Sequence, residues 1–249
     1  MRKIIAGLIL TSASFSFAAS IDDIRWIAQD MRPYSYIDSK GNNVGSIVEL
    51  VGEILKKTGS DKTTNDIEIR TFSKMFVWSN NKENAVFFPL AKTADREDKF
   101  KWVGPIFIGR PVVFAKIPGS SVISTDKTHK GKNLAPKFDS IQDLSKYSIL
   151  GIDKYIGVMQ LQDAGISVKI GASDLQNMIK LKNGEVDLVV CDKNVGSSLM
   201  QELGMENADY SVAYTLETKD MSFAFNKDTD DDLINQVQEA LKTAKTKIN

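Results

Sequence analysis

Few residues in this chain are suited to do chemistry. The 249 residues hold a single His, His129, and a single Cys, Cys191. That excludes a zinc site built on several histidines, a disulfide framework and a paired-cysteine redox motif. A Ser-His-Asp arrangement would have to use His129, which stands in the polar basic run Thr128-His129-Lys130-Gly131-Lys132. What remains is charged and aromatic. Arg96, in Thr93-Ala94-Asp95-Arg96-Glu97, carries a planar fork of donors that matches carboxylates. By residue type alone it is as readily an exposed helix residue paired with a neighbouring acid. Asp192 closes the apolar run Val186–Cys191, where an Asp also serves as a helix N-cap. Asp187, inside that run, needs a partner or a strand edge. Tyr34 and Tyr36 present flat faces that stack on other groups or pack in their own loop.

These residues must be positioned by regular elements, and the hydrophobic pattern supplies them. Ile24 to Ala28 reads as a strand ending at Asp30, and Pro33 with the polar stretch 38–43 marks a loop. Ile47, Val48, Val51, Ile54 and Leu55 fall on one helical face, which Gly59 terminates. Ile67–Arg70 alternates as a strand, and Ala85–Phe88 reads as a buried strand. Thr93 is placed to cap a helix from Ala94 to about Phe100. No helix is evident between Arg70 and Phe87. Ile106–Ile117 is a long β-rich stretch, and 118–139 is a basic surface excursion, longer than most connections. A second series follows: strand 148–152, helix 155–164, strand 168–170, helix 173–182, strand 186–191 and a helix to about Leu203. Strands 210–214 and 221–225 precede a terminal helix with one apolar face. Two successive α/β series place loops at the carboxyl ends of strands, where such folds bind ligands. Tyr155–Gly157 lies at one of these points; its backbone N–H groups suit a carboxylate, or it is an ordinary strand-to-helix turn.

Composition narrows the class further. Apolar residues make up 42% and charged residues 26%, an ordinary globular mixture that argues against a disordered or collagen-like chain. The 32 basic and 32 acidic residues balance, so no basic excess points to nucleic acid. Residues 1–18 have the layout of a secretory signal peptide. Arg2 and Lys3 precede the apolar run Ile4–Leu10, and Ser16 and Ala18 are spaced as at a cleavage site, which could extend to Ser20. The apolar run is well short of the ~20 residues that span a bilayer. Its removal takes away Arg2 and Lys3 and leaves an exported chain of about −2.

Four stretches in order resemble the bacterial extracellular solute-binding proteins of the polar amino-acid type, the periplasmic receptors of ABC importers. The first runs from Ile24–Asp30 through Arg32-Pro33-Tyr34-Ser35-Tyr36 to Gly41, Gly45 and the helix with Glu49. The second is Thr93-Ala94-Asp95-Arg96-Glu97-Asp98-Lys99-Phe100, followed by Trp102-Val103-Gly104-Pro105. The third is Ser140–Leu144 with Ser148–Gly151. The fourth is Gly184-Glu185-Val186-Asp187 through Asp192.

The resemblance implies an α/β periplasmic-binding-protein-like fold of type II, with two lobes joined by a two-strand hinge around a cleft. Lobe one takes 21–113 and returns over 217–249; lobe two takes 114–216. It implies a monomer that closes on a small solute, an amino acid or related carboxylate, and delivers it to a membrane permease, with no cofactor, metal or catalytic residue. In such a site Arg96 clamps the carboxylate and Asp192 holds the ammonium. Tyr34 and Tyr36 pack on the side chain, and Ala91, Thr93, Tyr155 and Gly157 complete the wall. One departure stands out. The strand Phe87-Phe88-Pro89-Leu90-Ala91-Lys92 offers no hydroxyl before Thr93, so this wall is more apolar than the family's. Two other uses of the scaffold are a dehydratase-like enzyme with an acid such as Glu49, Asp153 or Asp192 in the cleft, and a sensory subunit for a membrane receptor.

Overall fold

The computed structural model describes residues 20–78, 84–117, 137–205, 209–246 and 248. The signal segment, His129 and nearly all of the basic excursion lie outside these. The strands are β1 (Arg25–Gln29), β2 (Tyr36–Ile37), β3 (Asn43–Val44), β4 (Glu68–Arg70), β5 (Ala85–Ala91), β6 (Phe100–Gly109), β7 (Pro111–Lys116), β8 (Ile149–Gly151), β9 (Lys169–Ile170), β10 (Leu188–Asp192), β11 (Tyr210–Thr215) and β12 (Lys219–Asn226). The α-helices are α1 (Ser46–Lys57), α2 (Phe72–Trp78), α3 (Ala94–Glu97), α4 (Ile156–Asp163), α5 (Asp174–Asn183), α6 (Lys193–Glu202) and α7 (Asp231–Lys242).

They form two α/β lobes, each around its own five-stranded mixed sheet. The first sheet has the order β4-β1-β5-β12-β6 and the second β11-β7-β10-β8-β9. In the first, β1 runs parallel to β4 and β5, while β12 is antiparallel to β5 and β6. In the second, β7 is antiparallel to β10 and β11, while β8 is parallel to β10 and β9. The chain passes between sheets twice, at Arg110 between β6 and β7, and between β11 and β12. These two crossings are the hinge. A late strand, β12, thus returns to the first sheet and sits between β5 and β6.

Burial explains which strands are central. All seven residues of β5 and all five of β10 are buried, as expected for runs covered on both faces. Trp26 anchors the first lobe, with its ring set edge-on against Phe88, Phe223 and Phe225. The apolar face of α1 packs on this core, with Ile47, Val48, Val51, Ile54 and Leu55 each at most 2% exposed. Each such burial contributes roughly 1.5–3 kcal/mol against exposure. In the second lobe Val113, Ala115, Ile149, Leu188 and Val190 receive Val158 and Leu161 of α4. Asp187 finds its partner outside the apolar run, accepting from the backbone N–H and hydroxyl of Ser148 at 2.8 and 2.7 Å.

Two local expectations need correction. Residues 72–78 are helical, as α2, although no helix is evident there from the sequence. Phe72 and Met75, one turn apart, are buried against Ile27 and Phe87, so tertiary packing supplies what the local pattern does not show. The helix after Thr93 ends at Glu97, short of Phe100. Phe100 instead begins β6, paired with Asn226 and packed against Phe87 and Trp102. The Thr93 hydroxyl does not cap α3; it donates to Asp95 at 2.5 Å.

Candidate functional site

The two sheets meet where β1, β5 and the start of α3 face the β8–α4 turn and the start of α6. Arg96, on the short helix α3, points inward from the first lobe and is only 2% exposed. Its Nη1 donates to the Ala91 carbonyl at 3.4 Å. Its Nη2 donates to the Lys154 carbonyl at 2.7 Å and approaches Met159 Sδ at 3.4 Å. Lys154 and Met159 belong to the second lobe, so one guanidinium ties both walls. Burial pulls the Arg96 pKa down, while the neighbouring Asp95 pushes it up. A cation so desolvated interacts strongly with any anion that reaches it.

Arg96 lines a cavity of about 10 Å³ together with Gln29, Met31, Phe72, Pro89, Ala91, Lys154, Tyr155, Ile156 and Met221. This is room for about one water molecule. Around Arg96 the two lobes are in contact, and side chains fill the space there. Ile152 and Tyr155 of the second lobe pack into the cluster formed by Ile27, Phe72 and Phe87 of the first. Larger grooves lie away from Arg96. One of about 860 Å³ runs between α1 and α7, lined by Lys57, Asp232 and Glu239 among others.

Beside the cavity, a second interlobe contact is built on Tyr34 and Asp192. Gly45 makes the Tyr34 loop possible: its φ of +119° suits glycine, and a Cβ there would run into the Tyr34 carbonyl. The Tyr34 ring stacks on Phe107 with centroids 4.6 Å apart. Its hydroxyl donates to Asp192 Oδ1 at 3.2 Å and accepts from Asn194 Nδ2 at 2.9 Å. Burial and the Asp192 carboxylate push the Tyr34 pKa up. Asp192 is itself 3% exposed and caps α6, with Oδ1 accepting from the N–H groups of Asn194 and Val195 at 2.9 and 3.4 Å. Its Oδ2 accepts from the Arg110 N–H, in the crossing between β6 and β7, at 2.8 Å. A third contact, Arg32 to Glu202 at 3.5 Å, is partly exposed and adds little.

Of the eight residues singled out in the sequence, Ala91, Arg96 and Tyr155 come together at the cavity. Tyr34 and Asp192 come together beside it. Tyr36 lies under the Arg32 guanidinium, 4.4 Å from the ring centroid. The Thr93 hydroxyl is engaged by Asp95. Gly157 is buried where a Cβ would press on Val190, Tyr155 and Pro111, so the wall needs its small size. The sequence reading missed Gln29, Met31, Phe72, Lys154 and Met221. Phe72 stands in the segment where no helix was evident, and Gln29 closes a strand otherwise read as core.

It also missed Asp174, the first residue of α5. Burial, then the carboxylates of Asp192 and Asp30, raise its pKa from 3.8 to about 7. Asp30 is itself raised by burial, a shift that Arg32 opposes and Glu202 reinforces. The signal available was only a Ser-Asp helix start, which reads as an ordinary capped first turn.

A family model of the bacterial extracellular solute-binding proteins, family 3, matches residues 25–248. No curated protein matches the chain in sequence. Among solved structures, the holo form of the arginine-binding protein ArgBP from T. maritima is 20% identical. The alignment covers 88% of this chain and 89% of that one, with a TM-score of 0.69. The arginine-, lysine-, histidine-binding protein ArtJ from Geobacillus stearothermophilus is also 20% identical over 88% of each chain, with a TM-score of 0.66. A histidine kinase sensor domain with similarity to periplasmic binding proteins is 19% identical, covering 88% of this chain and 89% of that one, with a TM-score of 0.71. At these identities the likeness is one of fold.

Proposed function

Because the chain belongs to the bacterial extracellular solute-binding proteins, family 3, we propose that it is a periplasmic receptor for a small carboxylate-bearing solute, an amino acid or a related acid. Its lobes close on the solute, and the closed form hands it to an ABC-type membrane permease. Residues 1–18 are the cleaved export signal. The lobes are those expected from the sequence, 21–113 with 217–249 and 114–216, except that the sheet changes at Arg110, so 111–113, the start of β7, go with lobe two.

The observation that carries this reading is Arg96. It sits buried at the interlobe cavity and already bonds to carbonyls on both sides of it. A carboxylate on its planar fork would touch both lobes at once, and only contacts that differ between open and closed forms drive closure. The fold neighbours that bind arginine, lysine or histidine support a ligand carrying a carboxylate. The family supports binding without catalysis. The sensor-domain neighbour supports a second reading, in which the closed form signals to a membrane receptor and transport is not its task.

The test is a thermal-shift screen of the mature protein against amino acids and small carboxylates, repeated with Arg96→Met. A ligand at a hundredfold its Kd stabilises by ~2.7 kcal/mol, a rise of roughly 5–11 °C for a chain of this length. The expected result is a shift with one or two carboxylates that Arg96→Met removes. A shift of equal size in Arg96→Met would show that the clamp is not there.

A further inference from the structure

Within that reading, on which this inference rests, the geometry points to a narrower ligand: a monocarboxylate with an apolar body and no free ammonium group.

A zwitterion needs two charged partners, one for each end. The cavity offers the first. Arg96 and Lys154 line it, and the Gln29 amide adds a polar group. The remaining wall is Met31, Phe72, Pro89, Ala91, Ile156 and Met221, with Tyr155. The strand that could have supplied hydroxyls there reads Phe88-Pro89-Leu90-Ala91 and lies fully buried in β5.

The second partner is engaged elsewhere. Asp192 is the acid placed to receive an ammonium, yet it does not line the cavity. An ionised carboxylate has about four acceptor sites. At Asp192, Oδ1 accepts from the N–H groups of Asn194 and Val195 and from the hydroxyl of Tyr34, and Oδ2 accepts from the N–H of Arg110. Three of those donors are backbone and fixed by the α6 cap and the hinge crossing. The fourth, Tyr34, reaches across from the first lobe, where its ring stacks on Phe107. An ammonium would have to share Asp192 with these donors and reach it outside the cavity lining.

Asp30 and Asp174 do not serve in its place. Asp30 opens onto a different groove, with Arg32, Arg70 and Lys74. Asp174 is raised to about 7 by its surroundings and is not among the cavity's lining residues. An α-ammonium next to a carboxylate on Arg96 would thus be buried against thioethers and rings, which is unfavourable without a bonded partner. A deaminated acid of the same shape escapes that penalty.

The experiment compares matched pairs by calorimetric titration of the mature protein: leucine against isocaproate, and phenylalanine against hydrocinnamate. The expected result is that at least one deaminated acid binds, roughly tenfold or more tighter than its amino acid. Tyr34→Phe keeps the ring on Phe107 but frees one site on Asp192, so it should narrow that ratio. Because the ratio is read within one protein, a modest loss of stability in the variant does not confuse it. Amino acids binding as tightly as their deaminated partners, or tighter, with affinity lost in Arg96→Met, would overturn this inference and leave the carboxylate receptor standing. Binding of neither class in wild type at millimolar concentration would overturn both.

Discussion

Asp174 gives the sharpest test of the interlobe electrostatics. Its carboxyl is raised from 3.8 to about 7 by burial, by Asp192 and by Asp30, and it acts in turn on Tyr155 and Cys191. A carboxyl with a raised folded-state pKa is protonated in the folded protein while the unfolded chain is already ionised. Below pH 3.8 both states hold the proton and the site costs nothing. Between pH 4 and 7 the folded state binds more protons, so stability falls as pH rises, and above about pH 7 the full penalty applies. The gap between 3.8 and about 7 is worth ~4 kcal/mol at ~1.36 kcal/mol per pH unit. Asp174 is only half-buried, so solvent screening reduces this to ~2 kcal/mol. Asp174→Asn removes the penalty and keeps the shape. It also removes a favourable charge from the first turn of α5, worth ~0.3–1 kcal/mol in the other direction. Urea unfolding of both proteins at pH 4 and pH 8 reads the difference. We expect near-equality at pH 4, where the folded carboxyl is protonated and carries no charge to lose, and a gain of ~1–2 kcal/mol for Asp174→Asn at pH 8. A gap between the two proteins that does not change with pH would refute the reasoning.

Three further substitutions probe what holds the site in place. Trp26→Ala empties the centre of the first lobe's aromatic cluster and should cost ~3–5 kcal/mol in urea unfolding; a loss under 1 kcal/mol would mean the cluster is not the anchor. Gly45→Ala puts a Cβ into the Tyr34 carbonyl at a φ of +119° and should lower Tm by several degrees, with a changed near-ultraviolet signal from Tyr34; an unchanged Tm would show the loop is not held there. Asp192→Ala removes the α6 cap, the Arg110 bond and the Tyr34 bond together, with an expected cost of ~2–4 kcal/mol. If its Tm equals that of wild type, Asp192 is no structural junction and is free to serve a ligand.

Most of the frame was legible in the residue pattern because it rests on local physics. A five-residue apolar stripe on α1 has one way to be buried, and the runs Ala85–Phe88 and Val186–Cys191 can be covered only as central strands. Helix starts at Ser173 and Asp192 follow from side-chain capping within two or three residues, and both caps are present. Arg96 and Asp192 stand out by type, and both are buried where the lobes meet. The helix at 72–78 was hidden because its stability comes from Ile27 and Phe87, residues remote in the chain.

How the site residues divide their work depends on contacts across long chain separations. Asp192 is bonded to Tyr34, 158 residues away, and Arg96 to Lys154, 58 residues away. Spacing along the chain places an Asp at the end of a strand; it does not reveal that three backbone N–H groups and a phenol converge on its two oxygens. The two α/β series, the caps and the charged candidates can be read along the chain, because period and capping act within a few residues. The apolar run at Phe88–Ala91 was visible in the chain, but that Met31, Phe72, Ile156 and Met221 join it around Arg96, and that the acid beside it already has bonded partners, follows from the fold, because burial and carboxylate contacts are set by whatever it brings to the same few ångströms.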